Sequence, residues 1–125
     1  FGQPLITGTD YGRNYPDVSA NADPNTGYQI YTRATGWQNV GGTSAVAPQF
    51  NGATAVINSG KGTRMGVWNA QIYKLAQDPD KDPFTVLDSD TNNSNLYYTG
   101  QPGKVYNQAT GLGTVNFEKL YDAYQ

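Results

Sequence analysis

The stretch "GGTSAVAPQFNGATAVIN", Gly41 to Asn58, places Ser44 behind two glycines and ahead of a run of small residues. Gly41 and Gly42 permit a tight turn from a strand into a helix and a close approach of a substrate backbone. The small side chains that follow leave the Ser44 hydroxyl uncovered. This arrangement is typical of an exposed nucleophile, although a serine that merely caps a helix N-terminus fits the same Gly-Thr-Ser tripeptide.

A helix is predicted to follow Ser44. Gly60 is its predicted C-terminal stop, and Pro48 suits the first turn, where a missing N–H is tolerated. Small and apolar residues recur at helical spacing, so we expect this helix to be the most buried of the chain. Its repeating positions are Ala47, Phe50, Ala53, Thr54, Val56 and Ile57.

A nucleophilic serine needs a base to accept its proton, and the most common base is missing. The 125 residues contain no histidine and no cysteine. A histidine base within this chain is therefore excluded, as are disulfides, thiolate zinc sites and most catalytic zinc sites. Any bound metal has to be a hard ion held by oxygen atoms.

The composition also limits the partners. Eight basic and ten acidic residues give a net charge of -2, and no run of Lys or Arg follows a phosphate backbone, so nucleic acid is not expected to bind. No apolar run approaches about 18 residues, so no membrane contact is expected. The opening "FGQPLITGTDYG" lacks a basic region followed by an apolar core. We expect a secreted protein whose leader preceded this sequence and was removed.

Short elements precede the serine segment. The sequence predicts a short strand at Pro4 to Thr7, an extended piece at Asp17 to Ala20 and a turn at "DPNTG". Tyr28 to Thr32 and Trp37 to Val40 then form a predicted hairpin, because apolar and polar residues alternate along them.

Two short helices are predicted after the serine segment. The first covers Asn69 to Gln77, with Asn69 as its cap and an apolar face of Ile72, Leu75 and Ala76. The second is capped by Asn116 and buries Phe117, Leu120 and Tyr121 or Tyr124. Between them lies a long irregular segment with a predicted short strand at Phe84 to Leu87.

Four stretches together resemble one protein family. They are "GGTSAVAPQFNGATAVIN" itself, "YPDVSANADPNTGYQIY" before it, and "MGVWNAQIYKLA" and "YNQATGLGTVNF" after it. In this order and spacing they are similar to sedolisins, the serine-carboxyl peptidases of the subtilisin-like superfamily, over about residues 10 to 125. The resemblance implies an α/β fold: the loop-rich C-terminal part of a subtilisin-like three-layer fold with a mainly parallel sheet. Residues 1 to 125 would then be the C-terminal portion of one catalytic domain.

The resemblance also implies an answer to the missing histidine. Sedolisins use a glutamate as the base, an aspartate that supports it and a second aspartate in the oxyanion hole. Ser44 matches their nucleophile, and Gly41, Gly42 and Thr43 would lie beside the substrate peptide. A carboxylate of ordinary pKa, about 4, is an effective base only in acid, and a carboxyl donates in an oxyanion hole only while protonated. An acid-active peptidase is therefore expected.

The matching carboxylates are not in this chain. In the family they lie upstream of the segment similar to "PDVS", and the one glutamate here, Glu118, falls in the closing helix. We therefore expect a second chain that carries the glutamate and both aspartates. A catalytically inactive binding or structural module remains an alternative, as does an ordinary subtilisin whose histidine is on the partner.

A calcium site is also implied by the resemblance, but its ligands are incomplete. The family's later ligand motif falls on Gly103, Val105 and Asn107, so an amide replaces an aspartate. Its earlier aspartate falls on Val86, followed by Leu87, or is displaced by two residues to Asp88. Fewer charged ligands imply weaker binding of calcium. "DPDKDP" and "DSDTNN" lack the glycine and glutamate of an EF-hand loop and are read as solvated turns.

Other polar residues are assigned structural roles. Asp17 and Asp23 are expected to make turn or cap hydrogen bonds rather than to act in catalysis. Tyr97, Tyr98 and Tyr106 are interpreted as packing and surface residues rather than as a platform for sugars.

Overall fold

The computed structural model describes residues 2–4, 11–91 and 101–124. These residues form two compact units. One unit comprises the described residues up to Ser19 together with Asn69–Ala123, and the other comprises Ala20–Trp68 together with Tyr124. We call the first the flanking unit and the second, which contains Ser44, the serine unit. Three helices and short paired strands make this a mixed α/β structure.

The serine unit begins with the predicted hairpin. Strand β3 (Tyr28–Thr32) pairs antiparallel with β4 (Gly36–Val40), in a register that joins Tyr28 to Val40. The Tyr31 and Trp37 rings lie across the strands with centroids 5.5 Å apart. The predicted "DPNTG" turn precedes the hairpin, and there the Asn25 N–H donates to Asp23 Oδ1 at 2.9 Å. Hairpin and turn are both confirmed.

Helix α1 (Thr43–Lys61) follows β4 after two glycines. Two details of its prediction are wrong. Gly60 is helical, and the helix ends at Lys61, before Gly62, which takes the left-handed conformation with φ of 67°. Pro48 lies inside the helix rather than in its first turn, because the helix already begins at Thr43.

The expectation that α1 is the most buried helix is also wrong. Of its 19 residues only Ile57 is buried, and the Val56 side chain is 66% exposed. Helical periodicity identifies an apolar face but not what covers it. One face carries Val46, Phe50 and Ile57, which are half-buried or buried. The opposite face is open.

The flanking unit contains the remaining elements. Strand β1 (Gly2–Pro4) pairs antiparallel with β2 (Tyr11–Arg13). Strand β5 (Phe84–Thr85) pairs in the same way with β6 (Thr114–Val115), and an isolated parallel bridge joins Ser19 to Thr114.

Several predicted elements of this unit differ in extent. The strand predicted to reach Leu87 ends at Thr85, and the extended piece at 17–20 is a single bridge at Ser19. In the strand predicted at residues 4–7, Pro4 pairs with Tyr11, and residues 5–7 lie outside the described residues. Among the described residues all three strand pairs are antiparallel, so a parallel sheet is not seen there.

Helices α2 (Asn69–Leu75) and α3 (Phe117–Ala123) supply the core of this unit. Ile72 of α2 is buried, and Leu120 of α3 has no exposed surface. The predicted cap of α3 is confirmed, since Asn116 Oδ1 accepts from the Lys119 N–H at 3.0 Å. None of the described helices is long and apolar enough to cross a membrane.

Candidate active site

Ser44 is the second residue of α1 and is exposed. The residue that precedes the helix is Gly42, at φ of 90° and ψ of 162°, and no side chain caps it. That conformation is essentially restricted to glycine. Since the cap position belongs to Gly42, the interpretation of Ser44 as a helix cap is wrong.

The turn that carries Ser44 is held by the segment before the hairpin. The Gly42 N–H donates to the Ala22 carbonyl at 2.6 Å. A Cβ on Gly41 would lie 2.4 Å from the Pro24 nitrogen and 2.7 Å from the Ala22 carbonyl oxygen. Gly41 is therefore required by close backbone packing, and Gly42 by its dihedral angles.

The start of α1 is suited to hold negative charge. The first N–H groups of a helix lack partners four residues earlier, and the N-terminal end carries a partial positive charge. The first turn contains no acidic residue that would neutralise it. The Ala45 N–H is already used by the Gly42 carbonyl, at 3.0 Å. The Ser44 N–H therefore lies in a favourable place for an oxyanion beside its own hydroxyl.

The open face of α1 begins at Ser44. Lys61, at the last position, is the only charged side chain in the helix. The exposed residues of this face are uncharged, and besides Asn51 they are small: Ser44, Ala47, Pro48, Gly52, Ala55, Val56 and Ser59. An exposed helix face of a soluble protein ordinarily carries charged residues. We call these seven residues the open α1 face.

The residues predicted to hold calcium lie together in the flanking unit. Asp88 Oδ2 accepts from the Gly103 N–H at 2.9 Å. The Asn107 amide nitrogen donates to the Leu87 carbonyl at 3.2 Å. Val105 takes part in neither of these two hydrogen bonds, and its side chain is 44% exposed.

These contacts do not fit a calcium ion. A calcium site requires six to eight oxygen ligands, several of them usually carboxylates. Here the Leu87 carbonyl faces an N–H donor, and the Asp88 carboxylate accepts from a backbone N–H. Within residues 2–4, 11–91 and 101–124, no three acidic side chains are grouped so as to hold a metal.

Asp17 has a structural role, although its contacts are not the turn or cap hydrogen bonds that the sequence predicts. Its carboxylate oxygens accept from the Tyr73 hydroxyl at 2.6 Å and from the Asn69 side-chain amide at 2.8 Å. Asn69, predicted as the cap of α2, is instead the first residue of that helix. Its side chain is used to hold Asp17.

The remaining residues considered in the sequence are three tyrosines and Glu118. The Tyr106 hydroxyl donates to the Pro16 carbonyl at 2.6 Å, and its ring centroid lies 6.2 Å from that of Tyr73, which confirms its packing role. Tyr97 and Tyr98 lie outside the described residues. Glu118 is exposed in the first turn of α3, in the flanking unit.

An exposed serine behind a two-glycine turn at the start of a helix is an arrangement that suits the nucleophile of a serine peptidase. No family model matches the chain. Several individual proteins, however, are similar to the chain in sequence. Kumamolisin from Bacillus sp. (strain MN-32) is 38% identical over 107 residues, which cover 86% of this chain and 19% of kumamolisin. Sedolisin from Pseudomonas sp. (strain 101) is 30% identical over 119 residues, 94% of this chain and 20% of that protein.

A eukaryotic relative shows the same relation. Tripeptidyl-peptidase 1 from Dictyostelium discoideum is 30% identical over 114 residues, 87% of this chain and 18% of the peptidase. The chain belongs to the sedolisin family. It spans about a fifth of the length of these relatives.

Proposed function

We propose that this chain supplies the nucleophile of a serine-carboxyl endopeptidase that hydrolyses peptide bonds at acidic pH. The observation that carries the proposal is the position of Ser44, exposed at the start of α1 behind the Gly42 turn. Similarity to kumamolisin and sedolisin over most of the chain supports it. Gly41, Gly42 and Thr43 directly precede Ser44, and we propose that they line the extended substrate peptide.

The chemistry follows from the groups at this turn. The Ser44 oxygen attacks the scissile carbonyl carbon as its proton passes to the glutamate of a second chain. The Ser44 N–H and a protonated aspartate of that chain stabilise the oxyanion. The glutamic acid then protonates the leaving amine, and water hydrolyses the acyl-serine ester that remains.

This mechanism restricts activity to acid. The base must be ionised, which requires a pH above its pKa, whereas the oxyanion aspartate must be protonated, which requires a pH below its own pKa. The rate is therefore expected to follow a bell-shaped curve with its maximum in acid. Few side chains of this protein carry charge, 14% in all, which suits a secreted protein that works there.

A peptide aldehyde provides the test of the nucleophile. With the assembled protein at about pH 4, we expect the aldehyde to form a hemiacetal with Ser44 and to stop hydrolysis of a peptide substrate. The adduct is detected by NMR of an aldehyde that is isotopically labelled at its carbonyl carbon, and loss of the hemiacetal signal in Ser44→Ala assigns the adduct to Ser44. A catalytically inactive module would form no adduct. An ordinary subtilisin with a histidine on its partner would form it best near neutral pH.

The second chain is proposed to cover the open α1 face. It would carry the base, its supporting aspartate, the oxyanion aspartate and the mainly parallel sheet of the complete domain. Two observations support this proposal. The open α1 face has no charged residue, and the chain spans only a fifth of its relatives.

Val56→Asp tests the role of this face. Val56 is 66% exposed in the chain, so the substitution should leave the chain folded. In the assembly it would bury an unpaired carboxylate, which costs several kcal/mol. We expect affinity for the second chain, measured by isothermal titration calorimetry, to fall by about 100-fold or more.

Val67→Asp is the matched control. Val67 is 88% exposed, lies outside α1 and receives the same new charge. We expect it to bind the second chain with unchanged affinity. Equal affinities for the Val56 variant and the unaltered chain would refute the proposed interface.

A further inference from the structure

Asn107 is the one polar residue among the described residues that is classed as buried, with 3% of its surface exposed. Its backbone is paired in both directions with Gly111: its N–H donates at 2.9 Å and its carbonyl accepts at 2.7 Å. Its side-chain oxygen accepts from the N–H groups of Ala109, at 2.8 Å, and Thr110, at 3.3 Å. Asn107 thus organises its own loop.

The same contacts fix the orientation of the side-chain amide. With Oδ1 accepting from two backbone N–H groups, Nδ2 is directed to the Leu87 carbonyl, 3.2 Å away. The reverse orientation would set an NH₂ group against two donors and an oxygen against a carbonyl. Only the observed orientation pairs the two backbone N–H groups with an acceptor and the Leu87 carbonyl with a donor. The Leu87 carbonyl therefore meets the positive end of a dipole.

A cation and an amide NH₂ group can each bind the Leu87 carbonyl oxygen. Each attracts the Leu87 carbonyl and so links the segment at 87–88 to the loop that contains Asn107. Asp88 adds a second link without a metal, through its bond from the Gly103 N–H. The segment at 87–88 is thus joined by direct hydrogen bonds to Gly103 and to Asn107.

We propose that the Asn107 amide replaces calcium in this chain and closes the region as a metal-free clamp. The clamp is formed by Leu87, Asp88, Gly103 and Asn107. The bond from Asn107 to Leu87 does not depend on pH, because an amide does not titrate. Its value in acid rests on the proposed function, but the clamp itself does not.

The test uses the complete protein with Ser44→Ala, so that no self-digestion occurs and catalysis plays no part in the readout. Thermal unfolding is followed by circular dichroism in EGTA and in millimolar calcium chloride. We expect the two Tm values to agree within about 1 °C, because no calcium is held in the folded state. A Tm that is several degrees higher in calcium would overturn the clamp.

Asn107→Asp tests the amide directly. At pH 7 in EGTA the ionised carboxylate has no hydrogen to donate to Leu87, so we expect Tm to fall by about 5 °C or more. Near pH 3 the protonated carboxyl can donate, and the deficit should shrink by about half. The sign follows because burial raises the pKa of such a carboxyl, so stability is lost above that pKa and returns below it.

Asn39→Asp provides the charge control. Asn39 is exposed on β4, so this variant should match the Ser44→Ala parent within about 1 °C at both pH values. If the two Asp variants behaved alike, the clamp would be refuted. Should Asn107→Asp fail to fold at pH 7, the comparison of EGTA with calcium in the parent still decides between the clamp and a metal site.

Discussion

Replacing Ser44 with alanine is expected to lower kcat/KM for a peptide substrate at about pH 4 by at least about 1,000-fold. The substitution removes the attacking oxygen and leaves the backbone N–H in place. Residual hydrolysis would come from the oxyanion donors and from binding alone. The measurement is initial-rate kinetics on the assembled protein, with association of the two chains checked in parallel.

The control for this variant is Thr63→Val. Thr63 is exposed, lies after the end of α1 and outside the open α1 face, and also loses a hydroxyl. We expect its kcat/KM to equal that of the unaltered protein. If Ser44→Ala retained activity in acid, Ser44 would not be the nucleophile, and the peptidase proposal would fall.

Gly41→Ala is expected to lower both stability and catalysis. The added methyl group would lie 2.4 Å from the Pro24 nitrogen and 2.7 Å from the Ala22 carbonyl oxygen. Both are backbone atoms, so no side-chain rotation relieves the overlap, and the turn has to move. We expect a loss of about 1–3 kcal/mol in the free energy of unfolding. Displacement of Ser44 by about 1 Å would lower kcat by about 100-fold.

Gly52→Ala separates the overlap from the general effect of adding a methyl group. No atom lies within 4 Å of a Cβ built at Gly52, which is in the interior of α1. There alanine should raise the free energy of unfolding of the chain by about 0.5–1 kcal/mol. Chemical denaturation measures both variants. Equal stabilities for the two would mean that Gly41 is not packed as described.

Local features of the fold were predictable from sequence. The alternation along Tyr28 to Thr32, followed by a turn and Trp37 to Val40, predicts the hairpin that is observed. Asn116 before an apolar repeat predicts the cap of α3, since a short side chain there reaches the N–H three residues on. These features depend on neighbours within a few positions.

Features that depend on distant backbone were not predictable. Whether Ser44 or Gly42 holds the cap position is decided by the dihedral angles of Gly42 and by its bond to Ala22. The small, uncharged residues of the open α1 face would read the same in sequence if another element covered them, so their exposure is not predictable from sequence. The Asn107 bond joins residues 20 positions apart, and the only sequence signal was an amide at a position where the family has an acid.

The turn before α1 has a further consequence for assembly. The contacts that orient Ser44 are made within this chain, because the residues that make them belong to one compact unit: Ala22, Pro24, Gly41, Gly42 and Ser44. Such preorganisation means that the entropic cost of placing the serine is met during folding and not during association. In the proposed assembly, association adds the glutamate base and the two aspartates. Turnover at subsaturating second chain should then be proportional to occupancy, with a fixed rate for every complex formed.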